Sequence, residues 1–211
     1  MKKLNLLLVL AVVTLVVTAF SGCVETEPEV EEPAEPMTVQ VTIENVHDAQ
    51  PISPGLVVVH TTEGILDFEG EMAPEALEPL AEYGSNTQLA EYLEGMDGVE
   101  EVVTFDAPIL PGEFTTVEIA PGEESLVSVI GMAVGTNDGY ALVDSVAASG
   151  MHNAVIYDAG TEENEGLMCG FDCGQPDPAR GEENIENGNP TEEVVAVHPD
   201  LMDDLMHVTF E

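Results

Sequence analysis

The sequence predicts an all-β protein, an antiparallel sandwich of about eight strands with one short helical insertion. Three observations lead there. Short runs rich in Val, Ile, Thr and Phe recur through residues 37–211, some of them alternating apolar and polar positions as a half-buried strand does. Turn formers separate the runs, from a total of 19 Gly and 14 Pro. The helical insertion comes from Ala73–Leu93, where apolar residues recur at helical spacing.

The elements follow in chain order. Thr38–Val46 (TVQVTIENV) alternates cleanly and reads as the first strand. Asp48–Gly55 is rich in turn formers, and Leu56–His60 (LVVVH) is the second strand. Ala73–Tyr83 and Asn86–Leu93 supply Leu, Ala and Glu at helical spacing and read as two short helices split at Gly84-Ser85. Pro79 lies inside the first, so that helix starts there or kinks there. Val99–Phe105 is a strand, Pro108–Gly112 a turn, and Phe114–Ile119 the strand that continues it. Leu126–Ala133 (LVSVIGMA) and the shorter Ala154–Tyr157 are apolar strands, and Val194–Val197 and His207–Phe210 close the sheet. Gly174–Pro190, rich in Gly, Asn, Pro and Glu, reads as a long exposed loop.

Charge bounds the function. The chain has 42 Asp plus Glu against 3 Lys plus Arg, for a formal net charge of −39. Lys2 and Lys3 precede the apolar leader, and Arg180 is the only other fixed positive side chain. This excludes a nucleic-acid interface, which needs clustered Lys and Arg, and docking to an anionic membrane through a basic patch. Anionic substrates are repelled by the summed field, so cations are the natural small partners. Apolar residues still make up 44% of the chain, enough to bury a core rather than remain disordered. One arginine cannot pair with 42 carboxylates. Salt can relieve their repulsion, since the screening length falls from about 10 Å at 0.1 M to about 3 Å at 1 M. A protein adapted to saline conditions is therefore expected.

Residues 1–22 read as an export signal, with two lysines, an apolar stretch from Leu4 to Phe20, and small residues before Cys23. Phe20-Ser21-Gly22-Cys23 resembles a lipoprotein lipobox, which makes Cys23 the lipid-bearing first residue of the mature chain. The rival is an uncleaved membrane anchor. Either way the domain is expected outside the cytoplasm, tethered to the cell membrane at its N-terminus. Residues 23–36 interleave acids with prolines and read as an extended, solvated tether.

No G-x-S-x-G, P-loop, Rossmann or EF-hand pattern occurs, and Trp is absent, so neither a known catalytic motif nor an aromatic sugar platform is evident. Cys169 and Cys173 form a close pair that suggests a disulfide outside the cell. The alternative is a soft-metal site joined by His198 or His207. His60 ends an apolar strand and reads as a hydrogen-bonded, partly buried residue. Met202 and Met206, beside Leu201 and Leu205 at helical spacing, read as a short packed segment rather than copper ligands.

Several segments together resemble the spondin-N domain family (the F-spondin-type domain), in a microbial lipoprotein member. They are VTIENVHDAQPISPGLVVVH, EALEPLAEYGSNTQLAEYL, APILPGEFTTVEI, SLVSVIGMAVGTNDGY and YDAGTEENE, which cover most of Met37–Glu165 in order. The resemblance implies a C2-like β-sandwich with a calcium ion bound by loops at one end, and an extracellular binding or adhesion role. Carried over by position, its ligands fall on Asp138 in Thr136-Asn137-Asp138-Gly139, and on Asp158 and Glu162 in Asp158-Ala159-Gly160-Thr161-Glu162. Glu162 departs from the family pattern, which has Asp there. The chemistry suits calcium, which takes six to eight hard oxygens at about 2.3–2.6 Å. Gly139 and Gly160 suit tight turns around an ion.

The expectation is thus a non-catalytic, lipid-anchored surface domain with a structural calcium site, meeting a surface protein or glycan and no nucleic acid. Two rivals stand beside it. One is an extracytoplasmic hydrolase using paired carboxylates. The other is a carrier of copper or another transition metal.

Overall fold

The structure, a computed structural model, describes residues 37–164, 189–201 and 203–211, all within the unit Pro36–Glu211. The expected leader, the tether, Cys23, Cys169 and Cys173 lie outside the described residues, as does the expected loop 174–190 except for its last two positions. Two antiparallel sheets form the body, which is an all-β sandwich. The four-stranded sheet has the order β4-β1-β10-β7, with β1 at Val39–Asn45, β4 at Phe114–Ile119, β7 at Gly150–Asn153 and β10 at Met206–Phe210. The six-stranded sheet has the order β3-β2-β5-β6-β8-β9. Its strands are β2 (Ile52–His60), β3 (Val99–Phe105), β5 (Leu126–Ala133), β6 (Gly139–Ala147), β8 (Val155–Asp158) and β9 (Ala196–Val197).

Alternation decides which side chains meet. In β1, Val39, Val41 and Ile43 point inward, and Gln40 and Glu44 point to solvent. They pack with Val117 and Ile119 of β4 and Val208 and Phe210 of β10, against Val57, Val59, Val127, Val129 and Val143 of the facing sheet. The outer side of the six-stranded sheet is covered too. Leu56, Val58, Ile130, Tyr140 and Leu142 pack there against Leu77, Leu80, Ala81, Leu89 and Leu93 of the helical insertion. Each fully buried Leu or Ile contributes roughly 1.5–3 kcal/mol, so both layers hold the central strands. Double coverage explains why β2 and β5 read as nearly continuous apolar runs.

The insertion is α1 (Glu78–Tyr83) and α2 (Thr87–Glu94). Pro79 sits in the first turn of α1, where its missing N–H costs nothing, so the helix starts there. Gly84 ends it in the left-handed conformation, and the amides of Gly84 and Ser85 cap the Leu80 and Pro79 carbonyls.

Three expectations need correction. Among the described residues the sandwich has ten strands, because β6 and β7 escaped the strand pattern. β6 is buried on both faces over its first half and bulged in its second, so it never alternates. β7 is a short, mostly exposed strand defined only by its pairing with β10. β2 also starts four residues early, at Ile52, across an irregular register that spans Pro54. Finally, Val194–Val197 and His207–Phe210 do not close one sheet: β9 pairs with β8, whereas β10 pairs with β1. Leu201, Leu205 and Met206 are buried, as expected of a packed segment, while Met202 lies outside the described residues.

Candidate cation site

Asp138 and Asp158 come together because β6 and β8 are neighbours. Gly139 pairs with Asp158 across that ladder, and the Ala159 amide donates to the Asp138 carbonyl at 3.1 Å. The turn before β6 is fixed from both sides. The Gly135 amide donates to Gln50 Oε1 at 2.6 Å, and the Gly139 amide donates to Thr136 Oγ1 at 2.8 Å. A side chain at position 139 is excluded, because a Cβ there would lie 2.4 Å from Thr136 Oγ1. Gly160 takes φ +70, and a Cβ there would meet the Glu193 carbonyl at 2.6 Å. The turn is therefore built for glycine.

The second turn folds onto the first through Asp138. Its Oδ2 accepts from the Thr161 amide at 2.7 Å, the Glu162 amide at 3.1 Å and the Thr161 hydroxyl at 3.2 Å. Its Oδ1 is buried with no hydrogen-bond partner. Asp158 Oδ1 accepts from the Gly160 amide at 2.8 Å, and Asp158 Oδ2 accepts from the Asn164 side-chain amide. Asp138, Asp158 and Glu162 are 0%, 7% and 6% exposed. All three residues expected from the sequence are thus buried on adjoining turns.

Two further groups enter from distant parts of the chain. Glu82, in the last turn of α1, is 6% exposed and hydrogen-bonds the Thr161 side chain. Burial pushes its carboxyl up to about 7, and the nearby charges of Glu162, Glu78 and Asp138 act in the same direction. Burial likewise raises the Asp138 carboxyl, as does Asp158, against the lowering effect of its hydrogen bonds. His198 follows β9 and is 2% exposed. Its Nδ1 accepts from the amides of Asp200 and Leu201 at 3.2 and 3.1 Å. The proton of the neutral ring therefore sits on Nε2, which is buried without a partner. Burial lowers the His198 pKa, while Asp158, Asp200 and Asp138 oppose that shift.

Four buried acids thus share one region, and the described residues contain no Lys or Arg to neutralise them. Repulsion at short range in a poorly solvated site requires either protons or an external cation. In the described conformation the carboxylates spend several oxygens on amides and hydroxyls. Among the described residues, no three His, Cys, Asp or Glu side chains already converge as an ion cage. The alternative soft-metal site joined His198 or His207 to Cys169 and Cys173, which lie outside the described residues, and His198 follows β9 of the six-stranded sheet. His207 lies on β10 opposite Glu44 and Asn153, in the other sheet. Among the described residues no helix is long and apolar enough to cross a membrane.

The sequence pattern gave no hint of Glu82, and it offered His198 only as a partner in the alternative soft-metal site. In α1 the apolar stripe is Leu77, Leu80 and Ala81, and Glu82 lies beside it, three residues after Pro79. Nothing in helical periodicity marks that flank as buried. Known protein-family profiles give no match to this chain, and no curated protein matches it.

Proposed function

We propose that this chain is a non-catalytic binding module of spondin-N type, held outside the cytoplasm by a lipid on Cys23, with a structural calcium site on one rim of its sandwich. The observation that carries the reading is Asp138: a wholly buried carboxyl whose Oδ1 lacks a partner, among Asp158, Glu162 and Glu82, with no fixed positive side chain described nearby. Calcium suits this set better than a softer ion. Every anionic donor is a hard oxygen. His198 presents an N–H rather than a lone pair to the region, because its Nδ1 is occupied by two amides. When bound, the ion supplies positive charge that carboxylates on two turns lack, and so knits them. Its role is structural, because the acids are buried against protein rather than arrayed along an open cleft.

The disulfide between Cys169 and Cys173 and the saline habitat belong to the same reading of an exported, strongly acidic domain. Partner identity, a surface protein or a glycan, is left to binding assays on the intact chain.

The test is thermal unfolding with and without calcium after passage through chelator. Calcium at about 100 times its Kd should stabilise the wild type by roughly 2.7 kcal/mol. Asp138→Asn combined with Asp158→Asn should abolish the gain. Equal stabilisation of both proteins, or of neither, rejects the site.

A further inference from the structure

The structure assigns Glu82, we infer, as a fourth carboxylate ligand of this cation site, so that one ion fastens the helical insertion to the two rim turns. This rests on the calcium reading above and extends it to an element outside both loop motifs.

Four features of Glu82 converge. It is 6% exposed, although Glu is among the side chains least often buried. It lies in the last turn of α1, at the negative end of the helix dipole, which disfavours a negative charge. Its charged neighbours are acids: Glu162, Glu78 and Asp138. It also stands one hydroxyl away from Asp138, since Thr161 Oγ1 lies 3.2 Å from Asp138 Oδ2 and within hydrogen-bond reach of Glu82, and its single proton can serve only one of the two carboxylates. Burial, helix end and neighbours all work against ionised Glu82, and among the described side chains only the Thr161 hydrogen bond works for it. A divalent ion beside Thr161 reverses each of these effects at once.

A second, independent observation points to a non-protein group in this region. His198 is 2% exposed and its Nε2 has no partner. Its Nδ1 edge is tied to the 200–201 amides, so the opposite edge faces the Gly139 turn. There the ring Cδ2 lies 3.0 Å from where a Gly139 Cβ would be. Asp158 and Asp138 are among the charges acting on that ring. A buried N–H so placed calls for an oxygen, such as a water bound to the ion. An orphan acceptor, Asp138 Oδ1, and an orphan donor, His198 Nε2–H, therefore accompany the same acids.

The consequence is mechanical. α1 packs on β5 and β6 through Leu80 and Ala81, so an ion held by Glu82 couples rim occupancy to the layer that covers the six-stranded sheet. The insertion becomes the element whose order reports the ion.

The experiment titrates calcium into the full chain, freed of metal, by calorimetry, and follows amide exchange of residues 78–94 with and without calcium. Wild type is compared with Glu82→Gln, Glu82→Asp and, as an exposed control on the same helix, Glu78→Gln. The expected result is that Glu82→Gln weakens calcium binding by about tenfold or more. Glu82→Asp should fall between, and Glu78→Gln should match wild type. Calcium should slow exchange in α1 of the wild type and not of Glu82→Gln. Wild-type affinity in a folded Glu82→Gln, with α1 exchange indifferent to calcium, overturns the inference and leaves the three-carboxylate site standing. No calcium binding by the wild type overturns both.

Discussion

Two buried polar clusters sit toward the two ends of β6, and they differ in how their hydrogen bonds close. At one end His60, wholly buried rather than partly so, lies with Nδ1 2.8 Å from the Thr62 carbonyl and Nε2 2.8 Å from Ser128 Oγ. The Ser128 hydroxyl donates to Asp144 Oδ1 at 2.8 Å, and the Ser145 hydroxyl donates to Asp144 Oδ2 at 2.8 Å. Ser145 takes the unfavourable φ of 53, held there because its amide reaches Ser128 Oγ at 2.9 Å and its hydroxyl accepts from the Gly64 amide at 2.8 Å. The register breaks in β2–β3 at His60 and in β5–β6 around Ser128 let these groups meet. This network is complete within the protein. At the other end Asp138 Oδ1 and His198 Nε2 have no partner, and the neighbours are more acids. The same sheet thus carries a closed network, which specifies structure, and an open one, which the proposed cation would complete.

That contrast can be broken. Removing the bridging hydroxyl of the closed network should be the most damaging change. Ser128→Val leaves His60 Nε2 and one Asp144 oxygen without the shared partner, at a cost of about 2–3 kcal/mol. Urea unfolding with and without calcium reads it, and the loss should be the same in both. A calcium-dependent loss would mean the two clusters are not separate.

The open network should respond in the opposite sense. Glu82 titrates near 7 in the folded chain, above its ordinary 4.5. A carboxyl raised in this way favours folding when protonated. Its contribution is therefore full below about pH 4.5 and is lost as pH rises toward 7. In chelator, Glu82→Gln should match wild-type stability near pH 4 and exceed it at pH 8 by roughly 1–2 kcal/mol. A difference that is constant across pH would remove Glu82 from the like-charge cluster. Adding calcium at pH 8 should narrow or reverse the gap, since the ion needs the charge that the proton suppressed.

The smallest effect separates screening from binding. Molar sodium chloride should raise the melting temperature of wild type and of the Asp138→Asn, Asp158→Asn double variant by similar amounts, because it screens the exposed acids of a chain with net charge −39. Calcium at millimolar concentration should raise only the wild type. If salt fails to stabilise either protein, the expected saline adaptation is wrong, whatever the rim turns bind.

Legibility tracked locality. β1, β3, β4 and β5 were readable because each alternates or runs apolar within its own seven or so residues. Asp138, Asp158 and Glu162 were singled out only through the resemblance to the spondin-N family, because acids at that spacing are common in so acidic a chain; their burial on adjoining turns is what the structure adds. Glu82 was not, because nothing local distinguishes it from an ordinary exposed acid, and His198 stood out only as a partner for the cysteine pair, not for these acids. The His60 network was half visible: the strand-ending histidine stood out, but Ser128 and Asp144 join it only through two bulges that no periodicity announces.

By itself the sequence determined the sandwich class, the acidic surface and the two glycine-bearing turns, because strand alternation, charge and backbone sterics are properties of neighbouring residues. Tertiary structure alone decided which acids share a site. Pairing β6 with β8 and laying α1 across the six-stranded sheet brings carboxylates from positions 82, 138, 158 and 162 into one poorly solvated region, and long-range packing, not local preference, sets that proximity.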